Sequence, residues 1–367
     1  MRNSGLLILI VALMISLIGV SAIYSSTYNK EAKPWEDVAK RQILWIGIGM
    51  LACVFVSNFN YRKLWDVTYF MYFFSLGLLI FAALSGITRL GAQRWISFGW
   101  FNFQPSEFAK FVSILFLARY FSMQSVDDVR SVARQFGVLK GLIIPFIYIA
   151  IPMLIIMDQP DLGSALMIFF IFILIVFISG VKMRYISILV LTVLCLLPVG
   201  WHFLRDYQRD RLMVFINPNI DPLGAGYTII QSKIAIGSGA LFGKGWLSGT
   251  QSQLHFLPES HTDFIFATFA EEWGFLGALI LFMLYFLLIK EGINIGLRTR
   301  DYFGKLLAFG ISSIIAIQIF INVAMTLGLA PVVGLPLPLM SYGGSSVLIT
   351  FILLGILINI DKTRTVF

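Results

Sequence analysis

The segment His255-Phe-Leu-Pro-Glu259-Ser-His261-Thr-Asp263-Phe-Ile-Phe holds two of the chain's three histidines and two carboxylates. After Asp263 comes an apolar stretch, Phe264 to Ala270, which runs past Glu271 and Glu272 into a long hydrophobic segment. A carboxylate at such a boundary is partly desolvated, and its pKa rises. A raised carboxylate suits a general base. Two other readings stand beside this one. Thr262 or Asp263 is also an ordinary helix N-cap. His255, Glu259, His261 and Asp263 together offer metal ligands, although their spacing matches no standard pattern.

Three further polar clusters interrupt apolar sequence. In Gln104-Pro-Ser-Glu107-Phe-Ala-Lys110, Glu107 and Lys110 are neighbours on one helical face. An ion pair inside a span is costly and faces a cavity or pathway, unless it sits at the span's end and snorkels to the surface. In Asp158-Gln-Pro-Asp161-Leu-Gly163, Asp161 is placed to cap the helix that follows. In Gly334-Leu-Pro-Leu-Pro-Leu-Met-Ser-Tyr-Gly-Gly-Ser-Ser346, two prolines and the Gly and Ser residues forbid a regular helix. Irregular backbone at membrane depth is tolerated only against protein or a water-filled cavity.

The elements that must position these groups follow from composition. Of 367 residues, 58% are hydrophobic and 13% charged, and the mean hydropathy is +0.87. A soluble domain is nearer half apolar and a quarter charged, so the bilayer is the solvent for most of this chain. A soluble enzyme and a disordered tail are both excluded. The predicted fold is an all-α polytopic membrane protein with about ten transmembrane helices. They lie near 5–24, 41–58, 65–84, 106–121, 138–157, 162–180, 185–204, 271–290, 305–327 and 344–360. The first run reads as an uncleaved anchor rather than a secretory signal, because nine spans follow it. The fourth is the shortest and carries Glu107 and Lys110. Cys53 and Cys195 lie in apolar runs, and no disulfide is expected.

With the N-terminus in the cytoplasm, fifteen Lys and Arg fall on the inner side and seven in the short outer segments. That is the bias the positive-inside rule requires, and it puts both termini in the cytoplasm. The net charge of +8 is then a topological signal, and no nucleic-acid partner is expected. One outer loop, 205–270, is long enough to be exempt from the rule. Its five basic residues balance its five acidic ones, and its apolar stretches predict short amphipathic helices on the membrane face. All 367 residues form one membrane domain that contains this loop. By this topology all four polar clusters lie on the outer side, where they would share one site.

Other chemistries find no support. Gly239-Ala-Leu-Phe-Gly243-Lys244-Gly245 has one residue too few between its glycines for a phosphate loop and no Ser or Thr after the lysine. No HExxH, CxxC pair or GxSxG is present.

At the polar clusters the chain resembles a known family. The matching segments are Gly91-Ala-Gln-Arg-Trp-Ile, Gln-Pro-Ser-Glu107-Phe-Ala-Lys110 and Gln159-Pro-Asp161-Leu-Gly. They continue with Asp221-Pro-Leu-Gly-Ala-Gly-Tyr, Gln231-Ser-Lys-Ile-Ala-Ile-Gly-Ser-Gly and Gly243-Lys-Gly-Trp-Leu-Ser-Gly-Thr-Gln-Ser-Gln. Phe256-Leu-Pro-Glu-Ser-His-Thr-Asp263-Phe-Ile-Phe and Pro336-Leu-Pro-Leu-Met-Ser-Tyr-Gly-Gly-Ser complete the set. In order, over nearly the whole chain, these segments resemble the SEDS proteins (shape, elongation, division and sporulation). The Gly-Lys-Gly-Trp and Gly-Thr-Gln pattern is similar to the elongation branch.

The resemblance implies a peptidoglycan glycosyltransferase that polymerises lipid II outside the cytoplasmic (inner) membrane. It also implies a class B penicillin-binding protein as transpeptidase partner, within the elongation machinery. The family's essential aspartate falls on Asp263, and polar positions of its central cavity fall on Lys110, Glu107 and Asp161. Donor and acceptor are lipid-anchored, so the site must open to the membrane lipid and to the outer space. Asp263 would deprotonate the acceptor 4-hydroxyl. His261 and Glu259 lie beside it in the same cluster. Lys110, Arg94, Arg209 and Lys244, or a divalent cation as cofactor, would stabilise the leaving diphosphate. An α-linked diphosphate replaced by a β-1,4 bond predicts one inverting displacement, with no carboxylate nucleophile. The alternative classes are a lipid II flippase and a non-catalytic scaffold. A flippase needs polar groups in the cytoplasmic half as well, and a scaffold leaves the polar cluster unexplained.

Overall fold

The computed structural model describes residues 4–28, 36–89, 92–99, 101–125, 139–222, 224–254 and 256–363. The first three hydrophobic runs form α1 (Ser4–Thr27), α2 (Glu36–Ser57) and α3 (Lys63–Ser85). A small antiparallel meander follows, with β1 (Ile87–Arg89), β2 (Ala92–Ser97) and β3 (Asn102–Phe103) in that order. Then come α4 (Pro105–Ser125), a π turn over Leu139–Ile143 that leads into α5 (Ile144–Asp158), α6 (Leu162–Ile178) and α7 (Met183–Phe203). The long loop contains α8 (Asp206–Ile216), a 3-10 turn (Pro218–Ile220), α9 (Ala225–Ser238) and α10 (Thr250–Gln253). The chain ends with α11 (Ile265–Arg298), α12 (Tyr302–Thr326) and α13 (Gly344–Thr363).

Ten of these helices overlie the ten predicted spans, and the chain is an all-α polytopic membrane protein. Among the described residues, seven helices are long and apolar enough to cross a bilayer. The three others fall short for local reasons. α6 has 17 residues, α7 carries an internal Pro198 and His202 in its last turn, and α4 carries Glu107, Lys110 and Arg119. α13 and α12 are the most enclosed, whereas α2 and α3 point Leu51, Phe55, Phe70 and Leu84 outward. Apolar side chains that exposed fit a hydrocarbon solvent rather than water. Cys53 and Cys195 are both free.

The meander departs from the sequence expectation. Its strands of 3, 6 and 2 residues are too short for a period-2 pattern to register. Thr88 pairs with Gln93, and Ile96 with Phe103. Gly99, at φ +80°, makes the turn between β2 and β3, which any side chain would disfavour. The sheet places Arg94, on β2, beside the start of α4.

In the loop, α9 buries Ile229, Ser232 and Ala235 along one face and exposes Lys233, Ile234 and Gly237 on another. That is the one-sided helix expected there.

α11 is not one continuous helix. It breaks at Gly274, which has φ +64° and ψ −164°. A break inside a span orphans carbonyls before it and N–H groups after it. Here a segment of the loop supplies the partners. Lys244 N–H donates to Glu271 O at 3.0 Å, and Gly245 N–H to Glu272 O at 3.0 Å. Beyond the break, Phe275 N–H donates to Ala240 O at 2.9 Å, and Leu276 N–H to Leu241 O at 3.1 Å. Residues 240–245 thus stand in for the missing helical turn. A Cβ on Gly274 would lie 2.3 Å from Gly243 N. Gly274→Ala is therefore expected to destabilise the protein by about 2 kcal/mol or more, read as a fall in melting temperature in detergent. An unchanged melting temperature would mean that the splice is not under this constraint.

Candidate functional site

Asp161 is the most fully satisfied acid of the site. It caps α6 by accepting Ser164 N–H at Oδ1, 3.1 Å. Its Oδ2 accepts Gln104 Nε2 at 3.2 Å and Ser106 Oγ at 3.1 Å. Arg94 Nη1 lies 3.5 Å from Oδ1. Asp161 is buried, and Arg94 is 17% exposed with its Nε buried and unpartnered. The capping reading of Asp161 therefore holds, and the same carboxyl also joins Gln104 and Ser106.

Asp263 lies in the turn that precedes α11. The cap position itself is Phe264, with no side-chain cap bond, so neither Thr262 nor Asp263 caps the helix. Burial pushes the Asp263 carboxyl up to about 6, and the nearby Glu259 carboxylate pushes in the same direction. The Arg94 and Arg211 guanidiniums pull it down, and Asp161 raises it slightly. Two arginines and two carboxylates thus act on one partly buried carboxyl.

The four polar clusters are bonded to one another. Gln104 and Ser106 reach Asp161, as above. Gln104 N–H donates to Ser345 Oγ at 3.2 Å, and Ser345 Oγ donates to Asn102 O at 3.0 Å. Tyr342 N–H donates to His261 O at 2.9 Å, and Ser341 Oγ to Thr262 O at 2.7 Å. A single network therefore joins the starts of α4, α6, α11 and α13. The segment before α13 is irregular through residue 343, with Gly334 and Leu339 at positive φ, as its prolines and glycines required.

Glu107 and Lys110 form a 2.7 Å ion pair, and both side chains are buried, so Lys110 does not snorkel. Burial of a pair this close keeps each charge matched by its partner.

Other predicted residues lie differently. Arg209 donates to Trp201 O at 3.2 Å and to His202 O at 3.0 Å, closing the last carbonyls of α7. Lys244 pairs with buried Glu271 at 2.7 Å, where Thr250 Oγ1 and Gln251 N–H also converge. These bonds explain the family-like Gly-Lys-Gly segment as architecture for the helix break. Glu259 is exposed and accepts Thr262 Oγ1 at 2.9 Å. The His261 ring lies 6.0 Å from that of Tyr342.

No group of three or more His, Cys, Asp or Glu among the described residues is placed to hold a metal ion. His255 lies outside the described residues, and Glu259 is turned to Thr262. Glu259, His261 and Asp263 form no such group among the described residues.

Sequence reasoning did not single out Arg211 or Asn322, and it read Ser341 only as part of the irregular Gly334–Ser346 segment. Asn322 Nδ2 donates to Asp263 O at 2.9 Å. Its only sequence signal is an amide in the middle of an apolar run, one turn after Gln318. Arg211 was one of several loop charges, with nothing to separate it from Arg209.

Comparison with known proteins gives a consistent result. The FtsW/RodA/SpoVE model, described as cell cycle protein, matches residues 5–366. Peptidoglycan glycosyltransferase MrdB of Escherichia coli (strain K12) is 42% identical over 326 residues, covering 89% of this chain and 86% of that protein. A solved structure on the structural coordination of polymerization and crosslinking by a peptidoglycan synthase complex superposes with a TM-score of 0.80. It is 29% identical and covers 97% of both chains. The rod shape determining protein RodA of Thermus thermophilus superposes with a TM-score of 0.71. It is 26% identical and covers 97% of this chain and 96% of that one.

Proposed function

As a member of the FtsW/RodA/SpoVE family, the chain is a peptidoglycan glycosyltransferase, and we propose that it polymerises lipid II with Asp263 as general base. The observation that carries this reading is the Asp263 carboxyl. It is partly buried, raised to about 6, and flanked by the charges of Arg94 and Arg211. In the proposed step the acceptor 4-oxygen forms a bond to the donor's anomeric carbon. The bond from that carbon to the diphosphate oxygen breaks, and its electron pair leaves with the lipid diphosphate. The hydroxyl proton passes to Asp263.

Arg94 and Arg211 supply the positive charge for the departing diphosphate. Preorganised charges of this kind act most strongly where water is excluded. Arg94 has the geometry for it, since Asp161 holds one end of its guanidinium while Nε is left unpartnered. Asp161 is not a nucleophile in this scheme, because both its oxygens are engaged by Ser164, Gln104, Ser106 and Arg94. One carboxylate acting as base, and a second held as a structural acceptor, fit a single inverting displacement better than a double one. Lys110 and Glu107 are a matched pair within α4 that keeps the helix's outer end polar.

The positive-inside bias supports cytoplasmic termini and a site that opens outside the membrane, between the outer ends of α4, α6 and α11. A crosslinking partner, a class B penicillin-binding protein, is supported by the relation to a polymerization and crosslinking complex.

The sign of the pH dependence follows from the raised carboxyl. A base must be deprotonated to work, so activity falls as pH drops through about 6. kcat/KM for lipid II is expected to lose about tenfold for each unit below that value. The measurement is glycan-chain formation by purified protein across that range. A flat profile through pH 6 would remove Asp263 as the titrating base.

A further inference from the structure

Three successive backbone carbonyls around the candidate base are each held from outside their own segment. His261 O accepts Tyr342 N–H at 2.9 Å, Thr262 O accepts Ser341 Oγ at 2.7 Å, and Asp263 O accepts Asn322 Nδ2 at 2.9 Å. A turn leading into a helix can leave such carbonyls to water. Here every one is claimed by protein.

Asn322 does two things with one amide. Its Nδ2 also donates to Leu335 O at 2.7 Å, and Gln318, one helical turn earlier, donates to Pro336 O at 2.9 Å. The neighbouring Gly334 has φ +68°, and a Cβ there would lie 3.5 Å from Asp263 Oδ2. Asn322 therefore fixes both the backbone of Asp263 and the wall that its carboxylate faces. Asn322 is fully buried, and its Oδ1 has no partner. An orphaned buried acceptor works against stability, so what the residue contributes is its pair of donor bonds. Ser341 is likewise buried. Its oxygen accepts Leu337 N–H at 2.7 Å while its hydroxyl donates to Thr262 O.

We infer that Asn322 and Ser341 are positioning residues for the glycosyl transfer, holding the Asp263 backbone so that the carboxylate keeps its aim on the acceptor. The inference rests on Asp263 being the base. Both side chains are buried and spend their donors on backbone carbonyls, so their loss is expected to act on the rate of the chemical step and to leave substrate binding alone. A displacement of about 1 Å at a reacting group costs up to about a hundredfold in rate.

The experiment compares Ser341→Ala, Ser341→Thr, Asn322→Leu and Asp263→Asn as purified full chains, with lipid II as substrate and the fraction of monodisperse protein determined for each. Ser341→Ala and Asn322→Leu are expected to lower kcat roughly ten- to a hundredfold, with KM changed less than about twofold. Ser341→Thr retains the hydroxyl and is expected to recover most of the rate. If Asn322→Leu does not fold, the Ser341 pair decides. Unchanged kcat in Ser341→Ala, an equal fall in Ser341→Thr, or a loss confined to KM overturns the positioning role. Asp263→Asn separates the two ideas. Polymerisation by that variant means the base itself was misassigned, whereas an inactive Asp263→Asn beside an unimpaired Ser341→Ala defeats only the positioning role.

Discussion

Asp263→Asn is expected to lower lipid II polymerisation by purified protein by at least about a hundredfold, the lower end of what a general base contributes. The substitution keeps shape and volume and leaves the backbone bond from Asn322 to residue 263 intact. What it removes is the proton acceptor. The fall should therefore appear in kcat, with KM nearly unchanged, because an interaction made only in the transition state is lost. Stability should move the other way. The carboxyl is raised to about 6 in the folded protein from an ordinary value of 3.8. Deprotonation thus favours the unfolded state as pH rises from 3.8 through 6, and the cost stays constant above that. A neutral amide escapes it, so the melting temperature at neutral pH should be equal or higher. A stable, well-folded and inactive variant is the expected outcome. An active one would mean that a group other than Asp263 is the base.

Asp161→Ala carries the largest expected effect on stability. It deletes the cap of α6, strands the Gln104 amide and Ser106 hydroxyl, and leaves the partly buried Arg94 without its anion. Removing one partner of such a pair costs about 3 kcal/mol, and the lost cap adds about 1 kcal/mol. Asp161→Asn keeps an oxygen for Ser164 N–H and should recover roughly the capping share while still losing Arg94. The check is thermal unfolding of both variants in the same detergent. Equal melting temperatures for Asp161→Ala and the unsubstituted chain would show that the network at the start of α6 adds nothing. The Asp161→Asn variant should also weaken catalysis, since Arg94 would no longer be held toward the diphosphate.

Much of the architecture was legible in the sequence because the bilayer imposes one rule on every span. All ten helices fall on the hydropathy runs, but α11 starts at Ile265 rather than 271 and ends at Arg298 rather than 290. In the sequence, Glu271 and Glu272 stand at the outer end of that span. Glu271 instead meets Lys244, and Glu272 is hydrogen-bonded by Ser25, so helix continues where the sequence looked like a margin. The meander was not legible, because strands this short carry no periodic signal. Of the site, Asp263, Asp161 and the Glu107–Lys110 pair were visible as polar groups out of place. Arg94 was legible only as one cation among several. Arg211 and Asn322 were not, since their importance lies in pairings of residues 50 or more apart in the chain. Arg209 and Lys244 show the converse. A cation near a site in sequence went to a helix end in one case and to a buried carboxylate in the other.

The break at Gly274 has a consequence for length. Thirty-four residues of unbroken helix would be about 51 Å long at 1.5 Å each, against about 30 Å of hydrocarbon. Residues 275–298 are already enough to cross. The nine residues before the break are released from that duty and form an arm that carries Asp263 at its root. The hydrogen bonds from 240–245 set the arm's rotation. One residue inserted between Asp263 and Gly274 would turn the carboxylate by about 100° and lose the site. The same insertion after Leu276 would slide the span in the membrane and leave the carboxylate where it is.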